Sequence, residues 1–399
     1  MMDKYIDDNV ELGLDYDYSK INKVYKGLGI PAPYNRPLTS FGFGKSWVHV
    51  LLSKRNEGKT TNVILYSLCM RKIYPKFTLC YVRQTEDMTA PKTSGSLFDV
   101  IREFKYIPKL FKDYNDVVYK SRAWYLCMRD EDGKVVDMDT SPFMRLFSCD
   151  KSDMYKSSVN VPFGDIIIFD EFIPMRGYTH PDEFIWFNDI VKTILRKRVS
   201  AHVFLVANNV DLEHRYFDEL GIYSEVQALK EGEKLTCYSP IFGTPIYLEW
   251  INNDTVERVE ENKRQIFQYF GFKNKKLNSI RGGGWSVREY PRVKLQDGDN
   301  LIIKNRYIQV NSGRYLKIDI YKRGKLLFAI VHDTMPPAQE DSIVYSLTSG
   351  VGIGHKLALG RSRTDAIIWG LLKKGRVFYS TNGVGSAFEQ YYKDACKLV

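Results

Sequence analysis

A chain of 399 residues, 44% of them hydrophobic, is long enough to build two domains with cores of their own. No apolar run approaches the ~18 residues that a membrane-spanning helix needs, and the acidic N-terminus lacks the apolar segment of a signal peptide. The six cysteines have no paired spacing, which argues against a zinc site and a disulfide framework. These features predict a soluble, intracellular protein without a membrane partner.

The net charge of +10 is concentrated in the last third of the chain. Residues 271–399 contain 22 Lys and Arg against 10 Asp and Glu, whereas the rest of the chain contains 36 against 38. A polyanion that carries phosphate groups is the natural partner of such a region. Solvated lysines that only keep the protein soluble are the alternative interpretation.

In chain order, the first elements are an arm, a strand, a tight loop and a helix. Residues 1–37 mix charges with tyrosines and proline turns, which predicts an irregular arm. An apolar strand (47–52) then precedes the loop, and a helix (61–74) follows it. This order is the context of a phosphate-binding P-loop, in which backbone N–H groups and the helix N-terminus surround the phosphates.

In such a loop, Lys59 would reach the β- and γ-phosphates of a nucleotide, and Thr60 would be a ligand of Mg²⁺. Ser53 stands where a P-loop normally has its first glycine, so a residue with a Cβ must make that tight turn. The candidate nucleotide-binding residues here are Ser53, Lys54, Arg55, Asn56, Glu57, Gly58, Lys59, Thr60 and Thr61.

A second apolar strand is predicted over 77–82 and is followed by Arg83. A strand after the loop helix completes a βαβ unit with a parallel sheet. Arg83 would lie at the carboxyl end of its strand, where open α/β sheets bind ligands, or it would pair with Glu86 or Asp87. The mixed pattern of residues 90–150 predicts a short helix and short strands that are inserted between the core strands.

The next predicted strand ends in two carboxylates. Four apolar residues (166–169) precede Asp170 and Glu171, which predicts a strand buried on both faces with the acids at its carboxyl end. A buried carboxylate needs a positive partner, and Mg²⁺ with nucleotide phosphates would supply one. Asp170 would hold the metal, and Glu171 would position or deprotonate an attacking water. A surface turn after a core strand is the alternative.

Three further polar positions flank this strand. Lys156, in a polar loop before it, would reach a phosphate or would only be solvated. A helix predicted over 181–198 ends in three cations that begin with Arg196, where they suit the helix dipole or reach the γ-phosphate of a neighbouring subunit. The strand predicted over 201–207 ends in Asn208, whose amide could orient the attacking water or sense the γ-phosphate.

The last third is predicted to be a separate α+β domain. After a predicted helix (254–270), a glycine-rich joint (274–284) breaks the regularity. Beyond it, four short antiparallel strands and two helices are predicted, with a period-2 alternation of apolar residues over 315–321.

In their order and spacing, these motifs resemble the DNA-packaging ATPases of small tailed phages of the Picovirinae type, relatives of the terminase large subunits. The resemblance rests on Tyr81-Val82-Arg83, Lys156-Ser157-Ser158, Phe169-Asp170-Glu171-Phe172, Thr193-Ile194-Leu195-Arg196, and Asn208 after an apolar strand. It implies an α/β, ASCE-type P-loop ATPase domain with a parallel sheet (1–215). It further implies a small helical linker domain (216–284) and a basic, DNA-gripping, RNase H-like domain (285–399).

The resemblance also implies an ATP hydrolase that uses ATP and Mg²⁺ and forms a homomeric ring, a pentamer in this family. In the host cytoplasm the ring would dock on the portal of a procapsid and drive double-stranded DNA inward, with a packaging RNA as a further partner. By position, the resemblance assigns Lys59 and Thr60 to the Walker A motif, Asp170 and Glu171 to Walker B, Arg196 to a trans-acting arginine finger, Lys156 to a second trans-acting cation, and Asn208 to the sensor. Whether Arg196 or Arg198 would be the arginine finger stays open.

Terminase nucleases cut DNA with two metal ions held by clustered acids. The candidate acids Asp319, Asp333 and Asp341 have lysine and arginine neighbours and form no evident triad at adjacent strand ends. We therefore predict that the protein does not cleave DNA. Two alternatives remain: a terminase with an active C-terminal nuclease, and a nucleic-acid-binding protein without motor activity.

Overall fold

The structure is a computed structural model, and it falls into two compact units. The first unit combines Met1–Asn209 with Ser224–Trp285, and the second combines Val210–Tyr223 with Ser286–Val399. In the ranges described, no helix has both the length and the apolar character needed to cross a membrane. The described residues are 16–31, 34–36, 48–53, 57–156, 159–173, 180, 182–196, 201–208, 214–239, 244–252, 290–310, 314–337, 342–347, 355–357 and 363–395.

The first unit is built on a ten-stranded sheet with the order β3-β4-β6-β2-β7-β8-β1-β10-β9, in which β5 pairs with β4. Its six central strands, from β6 to β10 in this order, run parallel, and the outer pairings are antiparallel. The predicted α/β class with a parallel sheet is confirmed. The strands are β1 (Val48–Ser53), β2 (Leu79–Arg83), β3 (Asp116–Lys120), β4 (Ala123–Arg129), β5 (Val135–Met138), β6 (Met144–Ser148), β7 (Ile166–Asp170), β8 (His202–Asn208), β9 (Lys234–Ser239) and β10 (Thr244–Ile251).

The parallel register brings polar strand ends to one edge of the sheet. Ser53 on β1 is level with Asn208 on β8, and Asp170 on β7 is level with Val206 on β8. All five residues of β7 are buried, as expected for a strand of a parallel sheet that is covered on both faces. Strand register therefore brings the polar ends of these strands together at one edge of the sheet.

Helices of the first unit cover this sheet. Besides them, 3₁₀ turns span Glu86–Thr89, Gly95–Phe98 and Cys149–Lys151. The helices are α1 (Tyr18–Gly27), α2 (Lys59–Ile73), α3 (Pro91–Ser94), α4 (Asp99–Glu103), α5 (Tyr106–Leu110), α6 (Ser152–Tyr155) and α7 (Glu183–Leu195); α8 (Arg215–Glu219) belongs to the second unit, and α9 (Tyr223–Ala228) begins at the boundary.

Two segments predicted to be irregular are helical instead. The predicted arm contains α1, whose first turn is capped by the Asp17 side chain accepting from the Lys20 N–H at 3.1 Å. Ile21 and Tyr25, four residues apart, form its buried face. The polar loop predicted around Lys156 contains the short helix α6. Both helices are short, and their few apolar positions give a weak periodic signal.

The described part of the predicted linker includes two strands of the main sheet. β10 pairs in parallel with β1, and β9 pairs with β10. Ile246, Leu248 and Ile251 of β10 are buried, so this strand extends the core. Residues 253–289, including the predicted helix and glycine-rich joint, lie outside the described residues, and the boundaries at 216 and 284 stay predictions.

The second unit contains a six-stranded sheet with the order β15-β14-β11-β12-β13-β16. β11, β12 and β13 are antiparallel neighbours, as predicted. The fourth predicted antiparallel strand, β14, is instead parallel to β11, and it lies on the opposite side of β11 from β12. The α+β arrangement is consistent with the predicted RNase H-like fold. Its elements are β11 (Asn300–Gln309), β12 (Tyr315–Arg323), β13 (Leu326–Thr334), β14 (Ile343–Ser346), β15 (His355–Leu357), β16 (Val377–Tyr379), α10 (Arg363–Lys373) and α11 (Asn382–Ala395).

Candidate nucleotide-binding site

A cavity of about 360 Å³ lies at the carboxyl edge of the first sheet. It combines side chains from β7, β8, the start of α2 and the N-terminal segment 34–36. Five of the P-loop candidates and both predicted acids line it, together with Asn208. The lining residues are Tyr34, Glu57, Gly58, Lys59, Thr60, Thr61, Val100, Asp170, Glu171, Val206, Ala207 and Asn208.

Lys59 is the first residue of α2 and is directed into this edge by the turn before it. Gly58 has a left-handed backbone (φ 74°), a conformation that costs a residue with a Cβ roughly 1–2 kcal/mol. The Lys59 ammonium donates to the Ser53 hydroxyl and lies 3.4 Å from Asn208 Oδ1. Its side chain is buried, and burial lowers the pKa of Lys59 to about 8, although nearby Asp170, Glu57 and Glu171 oppose the shift.

Asp170 is held by three donors. The Thr60 hydroxyl donates to Oδ1 at 2.8 Å, and the Tyr81 hydroxyl donates to Oδ2 at 2.7 Å. Arg83 Nη1 lies 3.2 Å from the same Oδ2. Burial and the neighbouring Asp170 raise the pKa of Tyr81, so its hydroxyl remains a donor. Hydroxyl and carboxylate oxygens are the ligands that Mg²⁺ prefers, so Thr60 and Asp170 suit this ion.

Glu171 has a strained backbone and an engaged side chain. Its φ of 54° places a non-glycine residue in the left-handed region, a strain that occurs at functional sites. Arg83 Nη2 lies 2.6 Å from Glu171 Oε2. Burial alone would lower the pKa of Arg83, but Tyr81, Asp170 and Glu171 together raise it. Arg83 therefore stays charged and bridges the two acids. The alternative partner Glu86 pairs with Arg122 and Lys151 instead.

Tyr34 is a lining residue that the sequence did not single out. The Tyr25 hydroxyl donates to the Tyr34 carbonyl at 2.7 Å, and the Arg36 N–H donates to Asn62 Oδ1 on α2 at 2.9 Å. The Arg36 guanidinium also pairs with Glu249 on β10. These contacts fix segment 34–36 beside the cavity. The only sequence signal was an aromatic residue in the N-terminal arm.

Comparisons with known proteins give the fold a counterpart. No model of a protein family matches the chain, and no curated protein matches its sequence. Among solved structures, the Phi-28 gp11 DNA-packaging motor is similar at 14% identity and a TM-score of 0.55, over 91% of this chain and 98% of that one. The bacteriophage Phi-29 genome-packaging motor assembly is similar at 16% identity and a TM-score of 0.56, over 90% and 99%.

This chain has the fold of a phage DNA-packaging motor protein. The resemblance predicted from the sequence motifs is thus confirmed at the level of the fold. The likeness extends over nearly the whole chain, so it includes both the unit with the P-loop and the C-terminal unit.

Two predicted residues lie away from the cavity. Lys156 pairs with Asp153 at 2.8 Å and with Asp189 at 3.1 Å, close to α7. Arg196 ends α7 with a left-handed φ of 52°, and its Nη2 donates to the Val159 carbonyl at 2.7 Å. Neither side chain lines this cavity. Lys54, Arg55, Asn56 and Arg198 lie outside the described residues.

The two candidate nuclease acids that the structure describes, Asp319 and Asp333, each have a cation beside them. Asp319 lies 3.2 Å from Lys317 and 3.6 Å from the His332 ring, and Asp333 pairs with Arg314 at 2.8 Å. Asp341 lies outside the described residues. Within the described ranges, no group of three or more His, Cys, Asp or Glu side chains could hold a metal ion.

Proposed function

We propose that the protein is an ATP-hydrolysing motor that packages double-stranded DNA into a viral procapsid. The observation that carries the hydrolase part is the 2.8 Å contact between Thr60 and Asp170, with Lys59 in the same cavity. In this proposal Lys59 holds the β- and γ-phosphates, and Thr60 and Asp170 hold Mg²⁺. Held by Thr60 and Asp170, Mg²⁺ would supply positive charge that offsets the charge of the phosphates.

Glu171 acts in this proposal as the general base. Its carboxylate accepts the proton of the attacking water, a role that requires it to reach into the cavity that it lines. Because Arg83 holds this carboxylate at 2.6 Å, Glu171 must turn away from Arg83 to reach the water. In this proposal Asn208, whose Oδ1 lies 3.4 Å from the Lys59 ammonium, senses the γ-phosphate.

Tyr34 supplies the surface for the nucleotide base. It lines the cavity from a segment that hydrogen bonds fix to α2, so its ring can stack on a base without first being ordered. The P-loop residues that line the same cavity would hold the phosphates.

The motor acts as a homomeric ring, a pentamer, docked on the procapsid portal in the host cytoplasm, with a packaging RNA as a further partner. Arg196 and Lys156 do not line the cavity of their own subunit, which suits residues that act on the nucleotide of a neighbour. The basic region 271–399 suits contact with DNA phosphates, which carry no sequence information, as a motor on a whole genome requires.

DNA cleavage is not part of the proposed function. Of the candidate acids that the structure describes, Asp319 lies next to Lys317 and Asp333 lies next to Arg314. Each cation offsets the charge of its acid. Incubation of the full chain with linear duplex DNA and Mn²⁺ would expose a nuclease, and accumulation of shortened DNA would overturn this part of the proposal.

Mixing two inactive variants tests the motor at its subunit boundary. Lys59→Ala removes the phosphate ligand, and Arg196→Ala removes the finger, so each variant alone should lose most DNA-stimulated ATP hydrolysis in the presence of procapsids. In mixed rings, some cavities with an intact Lys59 face a neighbour with an intact Arg196. We expect hydrolysis to recover partly, with a maximum near equal amounts. Absence of recovery, with both variants still assembling, would contradict a trans-acting Arg196.

A further inference from the structure

A second and larger cleft lies at the opposite edge of the first sheet. Its volume is about 810 Å³, and it is open to solvent rather than enclosed. Thr78 at its floor joins two loops: its N–H donates to the Phe163 carbonyl at 3.1 Å, and its hydroxyl donates to the Pro142 carbonyl at 2.9 Å. These residues precede β2, β7 and β6, so the cleft lies at the amino ends of strands whose carboxyl ends carry the nucleotide site.

The two sites are separate. Strands β2 and β7 each have five residues, which at a rise of about 3.3 Å per residue puts roughly 15 Å between their two ends. The described residues that line one cavity do not line the other. A ligand in the cleft would therefore not compete with a nucleotide at Lys59.

The charge of the cleft is positive. Among its described lining residues, the one carboxylate, Asp139, is paired with buried Arg71 at 2.8 Å. Lys72, Lys76 and Arg145 line the same cleft. In the part of the chain that the structure describes, none of these three cations forms an ion pair. Three positive charges are thus left for an anionic ligand.

Aromatic side chains stand among these cations. The Lys72 ammonium lies 5.8 Å from the centre of the Phe111 ring, and the Lys76 ammonium lies 5.9 Å from that of Phe163. Tyr114 and Tyr125 also line the cleft and are only partly buried. Burial and nearby acids raise the pKa of Tyr114, so its hydroxyl stays neutral and does not repel an anion.

Cations interleaved with partly exposed rings are the chemistry that binds unpaired nucleic acid. The cations contact phosphates, and bases with free faces stack on the rings. A duplex offers its phosphates but keeps its base faces stacked inside the helix. We propose that this cleft binds an unpaired nucleic-acid strand, through phosphates at Lys72, Lys76 and Arg145 and through bases at the aromatic rings.

The test uses the full chain without ATP and a fluorescently labelled 12-nucleotide oligouridylate or oligothymidylate. Binding is followed by anisotropy from low to moderate salt. The variant Lys72→Gln/Lys76→Gln/Arg145→Gln should bind more weakly. The slope of log affinity against log salt concentration should be less steep by about 2, since each lost phosphate contact to a single strand removes about 0.7. The matched control is Lys109→Gln/Lys120→Gln/Lys134→Gln, three exposed lysines of the same unit that do not line the cleft.

A separate variant isolates the stacking. Tyr125→Leu keeps an apolar side chain but removes the ring, and should weaken binding by about fivefold or more with an unchanged salt slope. Photo-crosslinking of a 4-thiouridine strand to the wild-type chain should label peptides that contain Phe111, Tyr114, Tyr125 or Phe163, which locates the strand even if a variant fails to fold.

Identical affinity and slope in the cleft variant and its control would overturn the proposal, as would crosslinks confined to other peptides. Equal, cleft-dependent binding of a duplex would also overturn it, because the strand would then not need to be unpaired. Tighter binding of RNA than DNA would support it and identify contacts to the 2′-hydroxyl. ATP hydrolysis without nucleic acid should be unchanged in all variants, so this outcome is independent of the proposed motor.

Discussion

Lys59 is the residue whose charge state links the site to pH. Burial lowers its pKa to about 8, whereas contact with nucleotide phosphates favours the charged ammonium and raises the pKa. The bound form therefore holds its proton to higher pH than the free form does. By linkage, nucleotide binding is at full strength below pH 8 and weakens as the pH rises above it.

This linkage predicts that the protein binds nucleotide about tenfold more weakly at pH 9 than at pH 7, because only about a tenth of free Lys59 is protonated at pH 9. Titration calorimetry in two buffers of different ionisation enthalpy should show proton uptake on binding near pH 8.5. The variant Lys59→Arg carries a permanent charge and should show neither effect. A wild-type affinity that stays constant across this range would disprove the assigned pKa.

At the scale of secondary structure, Arg83 joins the carboxyl ends of β2 and β7. The Arg83 side chain is 12% exposed, and its guanidinium contacts Asp170 at 3.2 Å and Glu171 at 2.6 Å. Removing one partner of a buried ion pair leaves an uncompensated charge, at a cost of about 3–5 kcal/mol. In the absence of nucleotide, the stability of the β2–β7 pair therefore depends on this one side chain.

We expect Arg83→Met to lower the free energy of unfolding of the first unit by about 3 kcal/mol, measured by urea denaturation without nucleotide. The matched control is Arg122→Met, because Arg122 pairs with Glu86 where both side chains are 40% exposed. Such an exposed pair should contribute less than about 1 kcal/mol. Equal effects of the two substitutions would show that Arg83 does not carry the charge balance of the site.

The core strands could be predicted from the sequence because parallel strands, buried on both faces, are continuous apolar runs. β1, β2, β7 and β8 lie within two residues of their predicted bounds. β9 and β10 were missed, since Glu249 interrupts the apolar pattern of β10 and is buried against Arg36, a partner distant in sequence. A long-range ion pair of this kind leaves no local pattern.

The residues of the candidate site also fall into those that the sequence could predict and those that it could not. Lys59, Thr60, Asp170 and Asn208 could be predicted because each follows an apolar strand or opens a helix. The position of Tyr34 and the contact of Tyr81 with Asp170 could not be predicted. Tyr34 lies in a segment held by side-chain hydrogen bonds, and Tyr81 contributes its hydroxyl from inside a strand. The proposed trans-acting roles of Arg196 and Lys156 involve a second subunit, and no pattern within one chain defines a partner subunit.

At the scale of the whole molecule, the protein combines a candidate nucleotide site in one unit with an excess of basic residues at 271–399. The likeness to the Phi-28 and Phi-29 motors extends over at least 90% of the chain, so the proposed function concerns the complete fold rather than the P-loop unit alone. The proposed function depends above all on hydrolysis of ATP in the cavity at Lys59 and Asp170, with Glu171 as the base.

The most direct test is ATP turnover by Glu171→Gln, measured with procapsids and duplex DNA beside a nucleotide-binding measurement on the same sample. Glutamine keeps the size and loses the base, so we expect nucleotide affinity close to wild type and turnover reduced by about a hundredfold or more. Turnover near the wild-type rate, with nucleotide still bound, would contradict the account.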